Sequence, residues 1–120
     1  MMEILIIEPG QHPREASIEH TLENLQKVVG GYIQAVYPFD DPVAVICDEE
    51  GLFKDYKWNR LIAPHTAIKG TFFICGLSED NFDSLSPKLM EKYRKKFWEL
   101  HYFIPSPDGL IPVLPAGYEF

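Results

Sequence analysis

Cysteine is scarce in this chain. Cys47 and Cys75 are the only two in 120 residues, and each closes an apolar run, VAVIC and TFFIC. That excludes a disulfide scaffold, a cysteine-based zinc motif and a C-x-x-C redox pair, and leaves two small reduced thiols expected in the core. Long hydrophobic runs are missing too; none approaches the roughly 18 residues of a membrane-crossing helix. The opening MMEILIIEPG has neither a basic region nor a cleavage site, so a strand is expected there and not a signal peptide. Positive charge is in short supply, with 11 Lys and Arg against 18 Asp and Glu and a net charge of −7. Direct nucleic-acid binding and attraction to an anionic membrane are therefore not expected. The deficit is uneven. Residues 1–83 hold 14 acidic and 6 basic residues, residues 84–120 hold 4 and 5. Internal repeats, linkers and low-complexity segments are absent.

What is present describes a single compact domain, with 46% hydrophobic residues and 13% aromatics at a length that closes one core. The chain is organised around residues 22–39, LENLQKVVGGYIQAVYPF. Ile18, Leu22, Leu25 and Val29 recur at i, i+4, i+7 and i+11, one face of a helix running from about Ser17 or Glu19 to Val29. Gly30 stands where a helix end needs positive φ, and Gly31 adds a second free joint before a strand over 32–37. The pair follows the helix, at the negative end of its dipole, so a phosphate cradle is the poorer reading.

Residues 3–8 (EILIIE) and 43–47 are continuously apolar, as in strands buried on both faces. Residues 13–17 read as a more polar edge strand, and 71–75 as a further strand. The short turn at Asp40, Asp41 and Pro42 joins 32–37 to 43–47 as an antiparallel hairpin. Residues 52–67 show no clean period and are expected to be a long loop. Residues 77–84 read as a second loop carrying Glu79, Asp80 and Asp83. Ser86 and Pro87 form a helix start, and Leu89, Tyr93, Phe97 and Leu100 continue it to about residue 100. Residues 102–104 and 110–114 form a hairpin around a Pro-Gly-rich turn, held to an edge by Pro112. The expected fold class is α+β, a mixed or mainly antiparallel sheet with two helices.

No constellation gives a catalytic centre. The acidic turn Asp48, Glu49, Glu50 and Gly51 offers oxygen ligands without the alternating spacing of a calcium loop, and a solvated hairpin end fits it better. His12, His20, His65 and His101 are scattered without ligand spacing. Ser17, Thr66 and Thr71 lack a nucleophile's setting. Neither metal nor cofactor is expected. Lys88, Lys92, Arg94, Lys95 and Lys96 concentrate positive charge toward one helix end, where they complement the dipole on a solvated face.

The combination of LQKVVGGYIQAVYPFDDPVAVICDEEG, WNRLI, IKGTFFICG and FDSLSP resembles the domain-of-unknown-function 3846 family over about residues 3–97. The resemblance implies an accessory protein of bacterial mobile elements and phages, working in the cytoplasm. It implies no activity.

Three functional readings follow. The first is a non-enzymatic protein-interaction or regulatory module whose partners are proteins. The second is a small-ligand domain, for a nucleotide-like signal, using the loop from Tyr56 to Arg60. The third is an acidic DNA mimic acting against host defence. The candidate binding residues are Tyr56, Trp58, Asn59 and Arg60, with Glu49 and Glu50. The Arg60 fork can hold a carboxylate or phosphate, and Asn59 both donates and accepts. The alternative for the same residues is structural, with Arg60 paired to Glu49 or Glu50 and Asn59 capping a turn.

Overall fold

A computed structural model describes residues 1–79 and 81–120. In chain order the elements are β1 (Met2–Ile7), β2 (Arg14–Ile18), α1 (Leu22–Val29), β3 (Ile33–Val36), β4 (Val43–Asp48), a 3-10 turn (Gly51–Phe53), β5 (Trp58–Ala63), β6 (Thr66–Lys69), β7 (Phe72–Ser78), β8 (Asn81–Asp83), α2 (Pro87–Lys96), β9 (Tyr102–Ser106) and β10 (Gly109–Val113). The main sheet runs β2-β1-β7-β4-β3, with β8 also paired to β7, and its described pairings are antiparallel. Two hairpins, β5–β6 and β9–β10, form separate two-stranded sheets. The fold is α+β with two helices in one compact domain.

The continuously apolar strands are the interior ones because both faces of the sheet are covered. Met2, Ile4, Ile6, Ala44, Ile46 and Phe73 pack on one side with Leu25 and Val29 of α1. Leu5, Ile7, Val45, Phe72 and Ile74 pack on the other with Met90, Tyr93 and Phe97. That second layer also takes Ile62 of β5 and Ile68 of β6. Each buried Val, Leu, Ile, Phe or Met among them contributes about 1.5–3 kcal/mol by leaving water. Cys47 and Cys75 are both buried free thiols, which burial pushes up to about 11 and about 12 respectively.

Helix α1 starts later than its periodicity suggests. Ile18 pairs with Met2 in β2, and the Thr21 hydroxyl accepts the Asn24 N–H at 3.2 Å, so the cap falls at Thr21 and Leu22 faces solvent. Its end is as expected: Gly30 takes φ 87° and ψ 17°, and its N–H donates to the Gln26 carbonyl at 2.8 Å. In α2 the Ser86 hydroxyl accepts the Leu89 N–H, but the helix stops at Lys96, short of the expected residue 100.

Two expected loops are not loops. Residues 52–67 contain the end of the 3-10 turn and most of the β5–β6 hairpin. Register shifts between Trp58 and Arg60 and between Leu61 and Ala63 break the alternation, and Asn59, Arg60, Leu61 and Ile62 are buried in succession. A period-two signal cannot survive that. In the 77–84 stretch, β7 continues to Ser78 and β8 pairs back onto it; Asp80 lies outside the described residues.

Candidate functional site

The end of β4 carries a polar cluster. Asp48 is buried, and its carboxylate accepts from Lys54 Nζ at 2.6 Å, the Tyr56 hydroxyl at 2.8 Å and the Glu50 N–H at 2.9 Å. Burial resists the charge, but those three donors together hold the Asp48 carboxyl below the usual carboxylate range. Lys54 also donates to the Gly30 carbonyl, placing its ammonium at the negative end of α1. Glycines make room for this cluster. A Cβ on Gly31 would lie 2.8 Å from the Asp48 carboxylate, and one on Gly70 would lie 2.6 Å from the Tyr56 ring. The Gly30-Gly31 pair thus ends a helix and also admits Asp48, Lys54 and Tyr56.

This cluster fixes the turn that follows. The Asp48 bond to Glu50 starts it, and Phe53 N–H to Glu50 carbonyl (3.0 Å) and Lys54 N–H to Gly51 carbonyl (3.3 Å) close it. The turn holds Leu52 62% exposed and Phe53 91% exposed. Both line a cavity of about 200 Å³ between β3–β4 and β6, with Val36, Cys47 and Ile68 as its apolar walls and Glu49 at its margin. β3, beside it, is an edge strand of the main sheet.

The sequence candidates therefore divide. The Tyr56 hydroxyl and the Glu50 N–H bond to Asp48, while Glu49 and Glu50 are exposed. Trp58 opens β5, its ring 5.6 Å from that of Phe103 and 5.4 Å from Lys69 Nζ. Asn59 and Arg60 turn into the interior. Asn59 Nδ2 donates to the carbonyls of Ile7 (2.9 Å) and Gly70 (2.8 Å), so it ties strands together and does not cap a turn. Arg60 pairs with no carboxylate among the described residues, neither Glu49 nor Glu50. Its fork donates to the Phe97 carbonyl (3.0 Å), the Gln11 carbonyl (2.8 Å) and Asn59 Oδ1 (2.8 Å). The Phe97 carbonyl lies just past α2, so the guanidinium caps that helix, and the dipole favours a cation there. This capping accounts for the early end of α2. Burial lowers the Arg60 pKa to about 10, which leaves it charged at neutral pH.

Next to Arg60, His101 Nδ1 accepts the Leu61 N–H at 3.0 Å. The ring proton is therefore on Nε2, which is buried with no partner. Tyr118 packs edge-on to this ring at 4.5 Å and donates its hydroxyl to the Leu61 carbonyl at 3.0 Å. Sequence reading overlooked the roles of Leu52, Phe53, Asp48 and Lys54. Its available signal was two adjacent large apolar residues in a segment of Asp, Glu, Gly and Lys.

Among the described residues, no group of three or more His, Cys, Asp or Glu side chains is disposed to hold a metal ion. No helix among them is long and apolar enough to cross a membrane. Fold and site define a small α+β domain with a mainly antiparallel sheet and an apolar cavity at one sheet edge. The chain belongs to the family described as Domain of unknown function (DUF3846), whose model matches residues 2–98. No curated protein and no solved structure matches it. The family match takes in every element through α2 and stops before the β9–β10 hairpin.

Proposed function

We propose that this protein is a non-enzymatic interaction module that captures an extended segment of a partner protein. On this reading it is a cytoplasmic accessory protein of a mobile element. A large apolar anchor of the partner fills the cavity between β3–β4 and β6, and basic residues beside the anchor meet Glu49 and Glu50. The observation that carries this is the exposure of Leu52 and Phe53, held on a hydrogen-bonded turn at the rim of that cavity. An aromatic group beside an apolar pocket suits a binding hot spot, and a pinned turn loses little freedom on binding. The size favours a side chain over a nucleotide, since small-molecule pockets run to about 300–1,000 Å³. Asn59 and Arg60 are interior residues in this reading and do not touch the partner.

Selection of a displayed random peptide library against the folded chain tests it. Enriched peptides should carry one aromatic or branched aliphatic anchor with Lys or Arg within a few positions. Phe53→Ser should weaken them at least tenfold, about 1.4 kcal/mol, while shifting stability by no more than about 0.5 kcal/mol. Enrichment of acidic or anchorless peptides, or binding indifferent to Phe53→Ser, would refute the reading.

A further inference from the structure

The open edge of β3 borders the cavity, and its backbone is unpaired on one side. The Glu49 N–H donates to the Tyr32 carbonyl at 2.8 Å, and Gln34 and Val36 stand opposite Cys47 and Val45. In an antiparallel ladder, alternate residues turn both N–H and C=O to the same side. Tyr32, Gln34 and Val36 therefore face β4, and Ile33, Ala35 and Tyr37 aim their backbone groups outward. Among the described residues no strand but β4 pairs with β3. Other strands are blunted against such pairing. β2 carries Arg14 and Glu15, and Pro105 and Pro112 sit in the β9–β10 hairpin. β3 (IQAV) has neither a charge nor a proline, and exposed Tyr32 and Tyr37 flank it.

We infer that the partner segment joins the main sheet as an added strand on β3, which rests on the cavity being a partner site and names how its occupant is held. A strand laid along this edge meets donors and acceptors at Ile33, Ala35 and Tyr37, whereas a helix offers no matching ladder. Gln34 and Val36 both line the cavity, so their side chains share a face. Partner residues opposite them point the same way, which carries the apolar anchor over the cavity. The next residue on the anchor's face is two positions along. Intervening partner side chains lie beside Ile33 and Ala35, which are half-buried against the α1 layer. Charge selects the partner. Glu49 and Glu50 stand at the Tyr32 end of the edge and Asp40 follows the Tyr37 end, all three exposed. A second copy paired antiparallel would set the Asp40 end of one chain against the Glu49–Glu50 end of the other, like charge on like. The occupant is therefore a different protein: an extended segment with an apolar centre, Lys or Arg at both ends, and no proline between them.

The tightest peptide from the library selection is the probe, with amide hydrogen exchange of the full chain as the readout. In the free chain Ile33, Ala35 and Tyr37 should exchange faster than Gln34 and Val36. The peptide should slow those three by roughly tenfold or more. Methylating the peptide's own backbone nitrogens should weaken binding about tenfold at alternate positions, where the amide faces β3, and leave the intervening positions unchanged. A peptide that depends on Phe53 yet shows neither pattern would overturn strand addition and leave the cavity reading standing. A selection that enriches no peptide would remove both. Exchange at the three amides that slows as the chain alone is concentrated would assign the edge to a second copy. Amides already protected in the dilute free chain would mean that the edge is covered from within. Either result would overturn the proposal.

Discussion

Lowering the pH from 7 to 4 should weaken the fold through one side chain, His101. Its Nδ1 is committed to the Leu61 N–H, its Nε2 is sealed from water, and Arg60 and Lys96 stand near enough to oppose a further positive charge. Burial foremost, then those two cations, push its pKa down from 6.5 to about 4. The folded state thus keeps His101 neutral where the unfolded chain has already taken up a proton. Its contribution is complete above pH 6.5 and is lost as pH falls toward 4. The steepest slope is about 1.4 kcal/mol per pH unit and the whole loss about 3 kcal/mol. The depressed carboxylates Asp41 and Asp48 act in a lower window, their contributions fading only below their ordinary value of 3.8. Urea unfolding at half-unit intervals of pH would resolve the two. His101→Leu should be less stable at pH 7, because the Leu61 N–H loses its acceptor, yet nearly flat between pH 6.5 and 4. Parallel wild-type and His101→Leu profiles across that interval would refute the reasoning.

Arg60→Ala should cost more than about 3 kcal/mol, because the Phe97 and Gln11 carbonyls and Asn59 Oδ1 lose their donor together. Arg60→Lys should recover only part of this in the same urea titration, since a single ammonium cannot match the three-way fork. Selected peptides should bind equally well per folded molecule in both variants; lost binding with intact stability would return Arg60 to the recognition surface. Gly30→Val should lower stability by more than about 2 kcal/mol, since positive φ is strained for a branched side chain and the new Cβ sits 3.0 Å from the Tyr56 hydroxyl. A wild-type calorimetric melt for Gly30→Val would remove the cap assignment.

Features whose causes are local were legible in the sequence. The Gly30 stop, the Ser86-Pro87 start and the Glu23–Lys27 pair, 3.4 Å apart, depend on neighbours within a few residues. The apolar runs of β1 and β4 announced strands covered on both faces. Helix lengths were overestimated wherever a distant group intervened: pairing of Ile18 with Met2 at one end of α1, and the Arg60 cap just past α2. The β5–β6 hairpin stayed hidden because its buried polar residues look like loop residues. Asn59 and Arg60 are buried by partners at Ile7, Gln11, Gly70 and Phe97, which no window of sequence brings together. In the sequence Glu49 and Glu50 stood as support for a site centred on Asn59 and Arg60, both of which are buried, whereas the cavity beside the acidic turn exists only once β6 lies across β3 and β4.

The Arg60 fork joins three stretches far apart in the chain, near residues 11, 60 and 97. None of its long-range bonds can form until the opening loop, β5 and the end of α2 have already met. We expect such a knot to be tied late in folding and undone early in unfolding, since its loops must close before its bonds can form. Its strength therefore sets how long the native state lasts more than how fast it is reached. A side chain that resembles a recognition residue in the sequence would thus act as a brake on unfolding, guarding the domain against transient opening and the proteolysis that follows it.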